Sequence, residues 1–217
     1  TGALAAAALD ADVYENWTDV SGILMADPRI VDNPQTIPEV TYDELRELSY
    51  SGAQVLHEGT IFPVREKNIP LNIRNTNAPQ DPGTMIRERF DEDSDPHRFI
   101  TGITGKKDFS IIALTKRGMS SQVGVLRKVL TVLERHNISV DYVPNGIDNV
   151  SVVMPTEAVA SSLYTILGEI QKEVEPDNMV VYDQIAVVAA VGRKMAFRPG
   201  ISGQIFATLG QAGINIR

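Results

Sequence analysis

The chain has 217 residues, 43% of them hydrophobic, and a formal net charge of −8, which is typical of one large or two small globular domains. The negative charge argues against a nucleic acid or an anionic membrane as partner, because binding to either requires a basic patch. The absence of cysteine excludes disulfides, thiolate metal sites and thiol nucleophiles, and no apolar run reaches the roughly 18 residues of a membrane span.

The chain begins with an Ala-rich segment, TGALAAAALDAD, that predicts a helix over residues 2–9. Because this segment has no initiator Met and reads as a helix already under way, we expect the chain to be an excised fragment. VYENWT, residues 13–18, has the alternation of a strand. The next segment contains Gly22, Pro28 and Pro34 and predicts a long loop.

The residues TYDELRELSYSGAQVLH predict a helix that is capped by the hydroxyl of Thr41. A short helix over 61–67 and a strand, PLNIRN, follow. Residues 75–98 have three prolines, a dense run of charge and no periodicity, so the domain boundary is placed there. A solvated surface loop within a single domain is the alternative interpretation.

A regular pattern starts at FSIIALT, which predicts a strand. ISVDYV and NVSVVM predict two further strands around Asn145-Gly146, a turn pair that takes positive φ readily. Between the first and second strands, a helix is expected from about Ser121 to His136, with four apolar side chains on one face: Leu126, Val129, Leu130 and Leu133.

A second helix is expected to be capped by Thr156, and MVVYD is then the fourth strand. This order, βαββαβ, is that of a ferredoxin-like sandwich, in which two helices pack on one face of an antiparallel sheet. The inward residues of the second helix are Leu163, Ile166, Leu167 and Ile170.

The same construction begins again at Gln184. With a shift of 76 residues, which brings Ile111 onto Val187, a strand, a Gly-containing turn, a helix and the opening of another strand recur. The second copy is therefore expected to be truncated. The other matching pairs are Arg117 and Arg193, Met119 and Met195, Gly124 and Gly200, Leu130 and Phe206, Leu133 and Leu209, Ile138 and Ile214, and Val140 and Ile216.

The residue types that most often act in catalysis do not form a recognisable site in the sequence. The three histidines, His57, His97 and His136, are scattered over three segments, and each is interpreted as structural or solvated. The sequence contains no HExxH motif, EF-hand spacing or GxxxxGK[ST] loop. A run of acids is interpreted as solvated, so no metal site is predicted; these acids are Asp91, Glu92, Asp93 and Asp95.

The segment TDVSGILMADPR, residues 18–29, is the strongest candidate for a ligand site. It leaves a strand end, and in α/β sheets ligands bind beyond the carboxyl ends of strands. Thr18 and Asp19 could hydrogen-bond a base, ribose or phosphate, while Arg29 supplies a planar cation for phosphate oxygens. A structured but inert loop is the alternative.

The T-D-V-x-G stretch followed by D-P-R resembles the ATP-contacting segment of aspartate kinases of the amino acid kinase family. Residues 45–76, with S-x-G-A-x-V-L-H and I-P-x-x-I-R, resemble the segment that follows in that family, and DPGTMI resembles the exit from its kinase domain. ITGITGKKDFSII, the S-x-V-G helix, NISVD and the later VGRKM, PG and GINIR are similar to its tandem ACT domains.

The resemblance implies an α/β fold: the C-terminal part of an amino acid kinase domain over 1–88 and a linker over 89–98. Ferredoxin-like βαββαβ ACT domains follow, the first over 99–183 and the second, truncated, over 184–217. It implies that ATP, with Mg²⁺ in the complete enzyme, is contacted by Thr18, Asp19, Leu24, Arg29, Gln54 and Val55. Two positions depart from the pattern, since Tyr is common in the family at the position of Leu24 and Lys at that of Gln54.

For the ACT part, the resemblance implies an effector pocket for lysine, threonine or both. A zwitterion there would place its carboxylate on N–H groups at a helix N-terminus and its ammonium on Asp141. The turn KRGMSSQVG and the strand ISVD are expected to lie side by side, because the first two strands frame the helix. The alternative is that the apolar members are core and Asp141 is solvated. The pocket residues are Met119, Ser121, Gln122, Ser139, Val140, Asp141, Asn215 and Ile216.

By resemblance the parent protein is a cytoplasmic aspartate kinase that makes 4-phospho-L-aspartate from ATP and aspartate, and it is a homodimer through its ACT domains. The family's K-F-G-G-[ST] segment and its aspartate-binding residues are not in this chain, so no catalytic residue is assigned and the fragment alone is expected to be inactive. A non-catalytic regulatory subunit that senses an amino acid is the alternative. A third and weaker alternative is another member of the amino acid kinase family, such as a glutamate or uridylate kinase.

Overall fold

The computed structural model describes residues 1–53, 58–90, 99–193 and 195–216. The chain divides into two compact units, the first formed by Thr1–Gly105 with Val188–Arg217 and the second by Lys106–Val187. These units divide the strands β7 and β9, so the domain bounds expected from the sequence, at residues 88, 98 and 183, stay a prediction.

The helices and strands of the described residues follow one another in this order: α1 (Gly2–Ala8), β1 (Tyr14–Thr18), β2 (Ile23–Leu24), β3 (Thr36–Ile37), β4 (Glu39–Thr41), α2 (Tyr42–Tyr50), α3 (Glu58–Glu66), β5 (Leu71–Asn75), β6 (Thr84–Arg87), β7 (Gly102–Thr115), α4 (Val125–Arg135), β8 (Asn149–Pro155), α5 (Thr156–Val159), α6 (Leu163–Val174), β9 (Asn178–Val191) and α7 (Ile201–Gln211). The predicted α/β class is confirmed.

The first unit is organised by a four-stranded sheet in the order β1-β5-β6-β4. β1 lies parallel to β5, from Tyr14 beside Leu71 to Thr18 beside Asn75. β6 runs antiparallel to β5 and parallel to β4. The buried side chains of this sheet and of α2 form one core, which includes Ile37, Val40, Leu45, Leu71 and Ile86.

The strand β6 lies in the stretch for which the sequence shows no periodicity. It has only four residues, and only Thr84 and Ile86 are buried, so its alternation is too short to be recognised. The sheet holds it from both sides. β6 is therefore part of the sheet although it lies in the stretch where the boundary was expected, and residues 91–98 lie outside the described residues.

The start of α2 follows the predicted capping. The hydroxyl of Thr41 accepts a hydrogen bond from the Glu44 N–H, and the Glu44 carboxylate accepts one from the Thr41 N–H at 2.8 Å. This reciprocal capping box satisfies two backbone donors at the helix start. The predicted loop before it is less uniform than expected, since it contains β2, which pairs antiparallel with β3 just after the loop.

The second unit contains the sheet order β8-β7-β9, and β7 runs antiparallel to β8 from Phe109 beside Pro155 to Thr115 beside Asn149. α4 and α6 pack against each other, and their buried residues, with those of β7 and β8, form a second core. Of the apolar residues predicted for the inner helix faces, Val129, Leu133, Ile166 and Ile170 are buried and Leu130, Leu163 and Leu167 are partly buried.

The turn predicted at Asn145-Gly146 is present, since the Gly146 N–H donates to the Asn149 carbonyl, although neither residue has a positive φ. Three other local predictions for this region are wrong. Leu126 is exposed rather than inward. Pro155 occupies the cap of α5, because the Thr156 hydroxyl lies 2.9 Å from the Ser110 hydroxyl instead of capping the helix. MVVYD and IAVVAAV form a single strand, β9, rather than two.

The segment ISVDYV forms isolated bridges instead of a strand. The N–H groups of Asp141 and Tyr142 both donate to the carbonyl of Val153, so two residues oppose one, as in a β-bulge. Pro144 also lacks an N–H for the ladder. The order is otherwise that of the predicted ferredoxin-like unit.

The predicted internal repeat is confirmed in the backbone. A 3-10 turn occurs at Met119–Ser121 and again at Met195–Phe197, and a left-handed glycine starts the next helix at Gly124 and Gly200. α4 and α7 have equal length. In β7 and β9, the equivalent positions with a positive φ are Asp108 and Gln184.

We expect Gly83→Ala to destabilise the first unit more than Gly213→Ala, although the two glycines have nearly equal φ of +73° and +70°. A Cβ at residue 83 would lie 1.9 Å from the carbonyl oxygen of Ile73, whereas residue 213 has nothing within 4 Å. Both variants incur the left-handed cost of about 1 kcal/mol or more. Urea unfolding should therefore give a larger loss for Gly83→Ala, and equal losses would contradict the expectation.

Candidate functional sites

The first candidate site lies where the parallel strands β1 and β5 end together. β1 ends at Thr18 and β5 at Asn75, and the next residue, Thr76, donates its N–H and its hydroxyl to the Thr18 carbonyl at 2.8 and 2.9 Å. The Thr18 hydroxyl donates to Asp19 Oδ1 at 3.1 Å. This edge is therefore the carboxyl-end position at which α/β sheets bind ligands.

A short chain of side-chain hydrogen bonds ties the 18–29 loop to the segment after β5. The Asn75 amide donates to the Ser21 hydroxyl at 2.9 Å, and this hydroxyl donates to Asp81 Oδ2 at 2.6 Å. None of these three residues is predicted from the sequence as part of the site. The only available signal was their position just beyond two strand ends, which does not show that the two segments meet.

The turn of this loop requires a glycine. Gly22 is buried with φ +107°, and a Cβ there would lie 2.5 Å from the Thr84 hydroxyl oxygen. That hydroxyl accepts the Ile23 N–H at 2.7 Å and donates to the Ile37 carbonyl at 2.5 Å. β2 and β6 are thus joined through the side chain of Thr84.

The positively charged residue of the loop, Arg29, is already paired with Asp27. Arg29 donates from Nε and Nη2 to the carboxylate of Asp27, with Nη2 at 2.7 Å. Hydrogen bonds from the Arg29 side chain, and then from its backbone N–H, lower the pKa of Asp27 to about 2. The Arg29 side chain is 77% exposed, so an anionic ligand could reach it in competition with Asp27.

The other predicted nucleotide residues are less informative. Leu24 is half-buried in β2. Gln54 and Val55 lie outside the described residues, as do His57, His97 and the acids at 91, 92, 93 and 95. His136 lies 3.0 Å from Glu169 and joins the end of α4 to α6, in keeping with a structural role.

The second candidate site is an open cleft of about 340 Å³ in the second unit. It lies between the turn before α4 and the loop before β8. Its lining residues are Met119, Ser120, Gln122, Gly124, Val125, Leu126, Arg127, Asn145, Gly146, Ile147 and Val150.

Two carboxylates hold the turn that forms one wall of this cleft. Asp148 Oδ1 accepts the Gly118 N–H at 2.9 Å, and Asp177 Oδ2 accepts the Arg117 N–H at 2.6 Å. The Lys116 N–H donates to the Asp148 carbonyl. The turn is therefore fixed from the β8 side and from the β9 side before any ligand is present.

The predicted effector residues are divided between different places. Met119 and Gln122 line the cleft, Ser121 is exposed on the same turn, and Ser139 is exposed elsewhere. Val140 packs against the core. The corresponding residues of the second copy, Asn215 and Ile216, are exposed after α7.

ISVD does not join the turn KRGMSSQVG in lining the cleft, contrary to the expectation. Asp141 donates its N–H to Val153 in β8, and β8 lies between this segment and β7. A ferredoxin-like order places its third strand next to its first, which separates the second strand from the first. The cleft residues Asn145, Gly146 and Ile147 were missed because Asn-Gly was interpreted only as a turn.

Within the described part of the chain, no helix is long and apolar enough to span a membrane. The same residues contain no cluster of three or more His, Cys, Asp or Glu that could hold a metal ion.

Two protein families match separate parts of the chain. Residues 1–75 match the amino acid kinase family, and residues 188–217 match the ACT domain. Aspartokinase 3 of Bacillus subtilis is 33% identical over 217 residues, which are all of this chain and 47% of that protein.

Solved structures give the same result. The aspartate kinase of Clostridium acetobutylicum is 48% identical with a TM-score of 0.90, covering all of this chain and 49% of that one. Escherichia coli aspartokinase III, solved with aspartate and ADP and also with lysine and aspartate, is 28% identical with a TM-score of 0.76. Those two comparisons cover all of this chain and 48% and 47% of the other chains. The chain thus spans about half the length of these relatives.

We expect Asp148→Ala to loosen the turn at the cleft, because it leaves the Gly118 N–H without its carboxylate acceptor. A hydrogen bond to a charged group contributes about 1.5–3 kcal/mol, so hydrogen exchange at 116–122 should accelerate. Glu134→Ala, which removes an exposed carboxylate from α4, is the matched control. Unchanged exchange in Asp148→Ala would show that the turn is fixed by other contacts.

Proposed function

Since this chain matches about half the length of aspartate kinases in sequence and fold, with an amino acid kinase match followed by an ACT domain match, we propose that it is the corresponding part of an aspartate kinase. The complete protein would use ATP to phosphorylate L-aspartate to 4-phospho-L-aspartate, in the biosynthesis of lysine, threonine and methionine. The observation that carries the proposal is the 18–29 loop at the shared end of β1 and β5, in a chain similar to these enzymes throughout its length.

The proposed nucleotide contacts are supported by the geometry of that edge. Thr18 and Asp19 stand at the end of β1, and Arg29 offers an exposed guanidinium on the same loop. Aspartokinase III of E. coli was solved with ADP. ATP would bind with Mg²⁺, and the proposed contacts also include Leu24, Gln54 and Val55.

The proposed role of the repeated part is to sense an amino acid. The cleft of about 340 Å³ beside Met119 and Gln122 has room for a small zwitterion, and E. coli aspartokinase III was solved with lysine. Lysine, threonine or both are the proposed effectors, and the other proposed contacts are Ser121, Ser139, Val140, Asp141, Asn215 and Ile216. The domain bounds expected from the sequence belong to this proposal.

A cytoplasmic homodimer is proposed as the working form. The ACT modules would join edge to edge, which would cover strand edges that otherwise remain open to pairing. The bridged segment 141–145 at the edge of β8 is one such edge in the second unit.

In the complete protein, Asp19→Ala should lower kcat/KM for ATP by at least about tenfold, because a ligand would lose a charged hydrogen-bond partner. Asp12→Ala, an exposed acid outside the 18–29 loop, should leave this value unchanged. The 217-residue chain alone should not turn over ATP, since K-F-G-G is not in its sequence. Turnover by this chain would refute the last expectation, and equal effects of the two variants would refute the first.

Calorimetric titration of the 217-residue chain with lysine and with threonine tests the sensing role. A saturable heat is expected with at least one of them, while alanine, which has the same backbone charges but a minimal side chain, serves as control. Heatless titrations with both effectors would count against the sensor. If the chain binds an effector but the complete protein has no kinase activity, the alternative of a non-catalytic regulatory subunit would be favoured.

A further inference from the structure

Two arginines at equivalent places in the repeat have different partners. Arg117, in the first copy, is 86% exposed and its Nε lies 3.7 Å from Asp177 of the same copy. The side chain of Arg193, in the second copy, is 32% exposed and bonds to α2 and β4 of the first unit. Its Nε donates to Glu44 Oε2 at 2.9 Å, and its Nη2 donates to the Glu39 carbonyl at 3.1 Å.

Glu44 is a buried carboxylate, 7% exposed, whose partners come from three segments of the chain. Besides Arg193, it accepts hydrogen bonds from the N–H and hydroxyl of Thr41 and from the hydroxyl of Thr101 at 2.5 Å. Burial alone would raise the pKa of Glu44, but the bonds from Thr101, Thr41 and Arg193 outweigh it and lower the pKa. The carboxylate is therefore charged and depends on these donors for its compensation.

The segment that contains Thr101 also bonds to the 18–29 loop. The Thr101 N–H donates to the Val191 carbonyl in β9 at 2.7 Å, and the Ile103 N–H donates to the Met25 carbonyl at 2.7 Å. Between them, Gly102 packs tightly, since a Cβ there would lie 3.1 Å from Leu48 and 3.2 Å from the Met25 carbonyl oxygen. A continuous path thus connects the second copy, Glu44 and the loop inside one compact unit.

We propose that Glu44 is a positioning residue that couples Arg193, at the turn of the second ACT copy, to the 18–29 loop. The inference rests on the proposed function, because it takes that loop to be the nucleotide site and that turn to be part of the regulatory half. When Arg193 is withdrawn, Glu44 loses its cationic partner. The hydrogen bond between Glu44 and Thr101 is then weakened, and so is the bond from the Ile103 N–H to the Met25 carbonyl. An effector that binds better when Arg193 is withdrawn therefore shifts the loop toward its loosened form.

Hydrogen exchange of the 217-residue chain tests this coupling without a ligand. In Arg193→Gln, protection at residues 23–27 and 99–103 should fall by about fivefold or more, the lower end of typical coupling between sites. Amides of β5, in the same unit, are the reference for general loss of stability. Arg117→Gln, the equivalent position of the first copy, should leave the 23–27 and 99–103 amides unchanged.

Two milder variants keep the test decisive if Arg193→Gln folds poorly. Arg193→Lys keeps the positive charge and should restore part of the protection, and Thr101→Val removes only one hydroxyl and should reproduce the loss at 103 and 25–27. Equal effects of the Arg193 and Arg117 variants, or a loss spread evenly over β5 and the loop, would overturn the proposal. Because no nucleotide takes part, failure of the coupling is distinguishable from failure of the kinase assignment.

Discussion

The parallel pairing of β1 with β5 is the constraint on which the rest of the first unit depends. It brings the ends of two strands that are distant in the sequence to one edge, where Thr76 bonds to Thr18 and Asn75 bonds to Ser21. Backbone groups at a strand end need partners, and the Thr18 carbonyl finds its partner in the residue that follows β5. The 18–29 loop thus has a defined conformation before any ligand binds.

The repeat adds a second kind of constraint, because equivalent positions perform different tasks. The two copies share turns, left-handed glycines and helix lengths, yet Arg117 stays within its own copy while Arg193 bonds to Glu44. A buried carboxylate must be compensated, so the Glu44 site fixes the beginning of α2, the strand end at Val191 and the segment at Thr101 together. Glu44 thus caps α2 and at the same time binds an arginine of the second copy.

Patterns that depend on near neighbours were predictable from the sequence. The capping box at the start of α2 depends on Thr41 and Glu44, which are three residues apart. The 76-residue repeat is visible in matched apolar and glycine positions. β6 and the bulge at Val153 were not predictable. The first is a strand only because β4 and β5 hold it, and the second arises from the pairing of two distant segments.

The sequence by itself determined the α/β class, the duplicated unit, the family resemblance and the residues of the 18–29 loop, because these follow from local periodicity and short motifs. The tertiary structure alone decided which groups meet: Ser21 with Asp81, Asp148 with Gly118, and Glu44 with Arg193. These pairs are separated by 60, 30 and 149 residues. No local pattern encodes such contacts, since they result from the packing of whole elements.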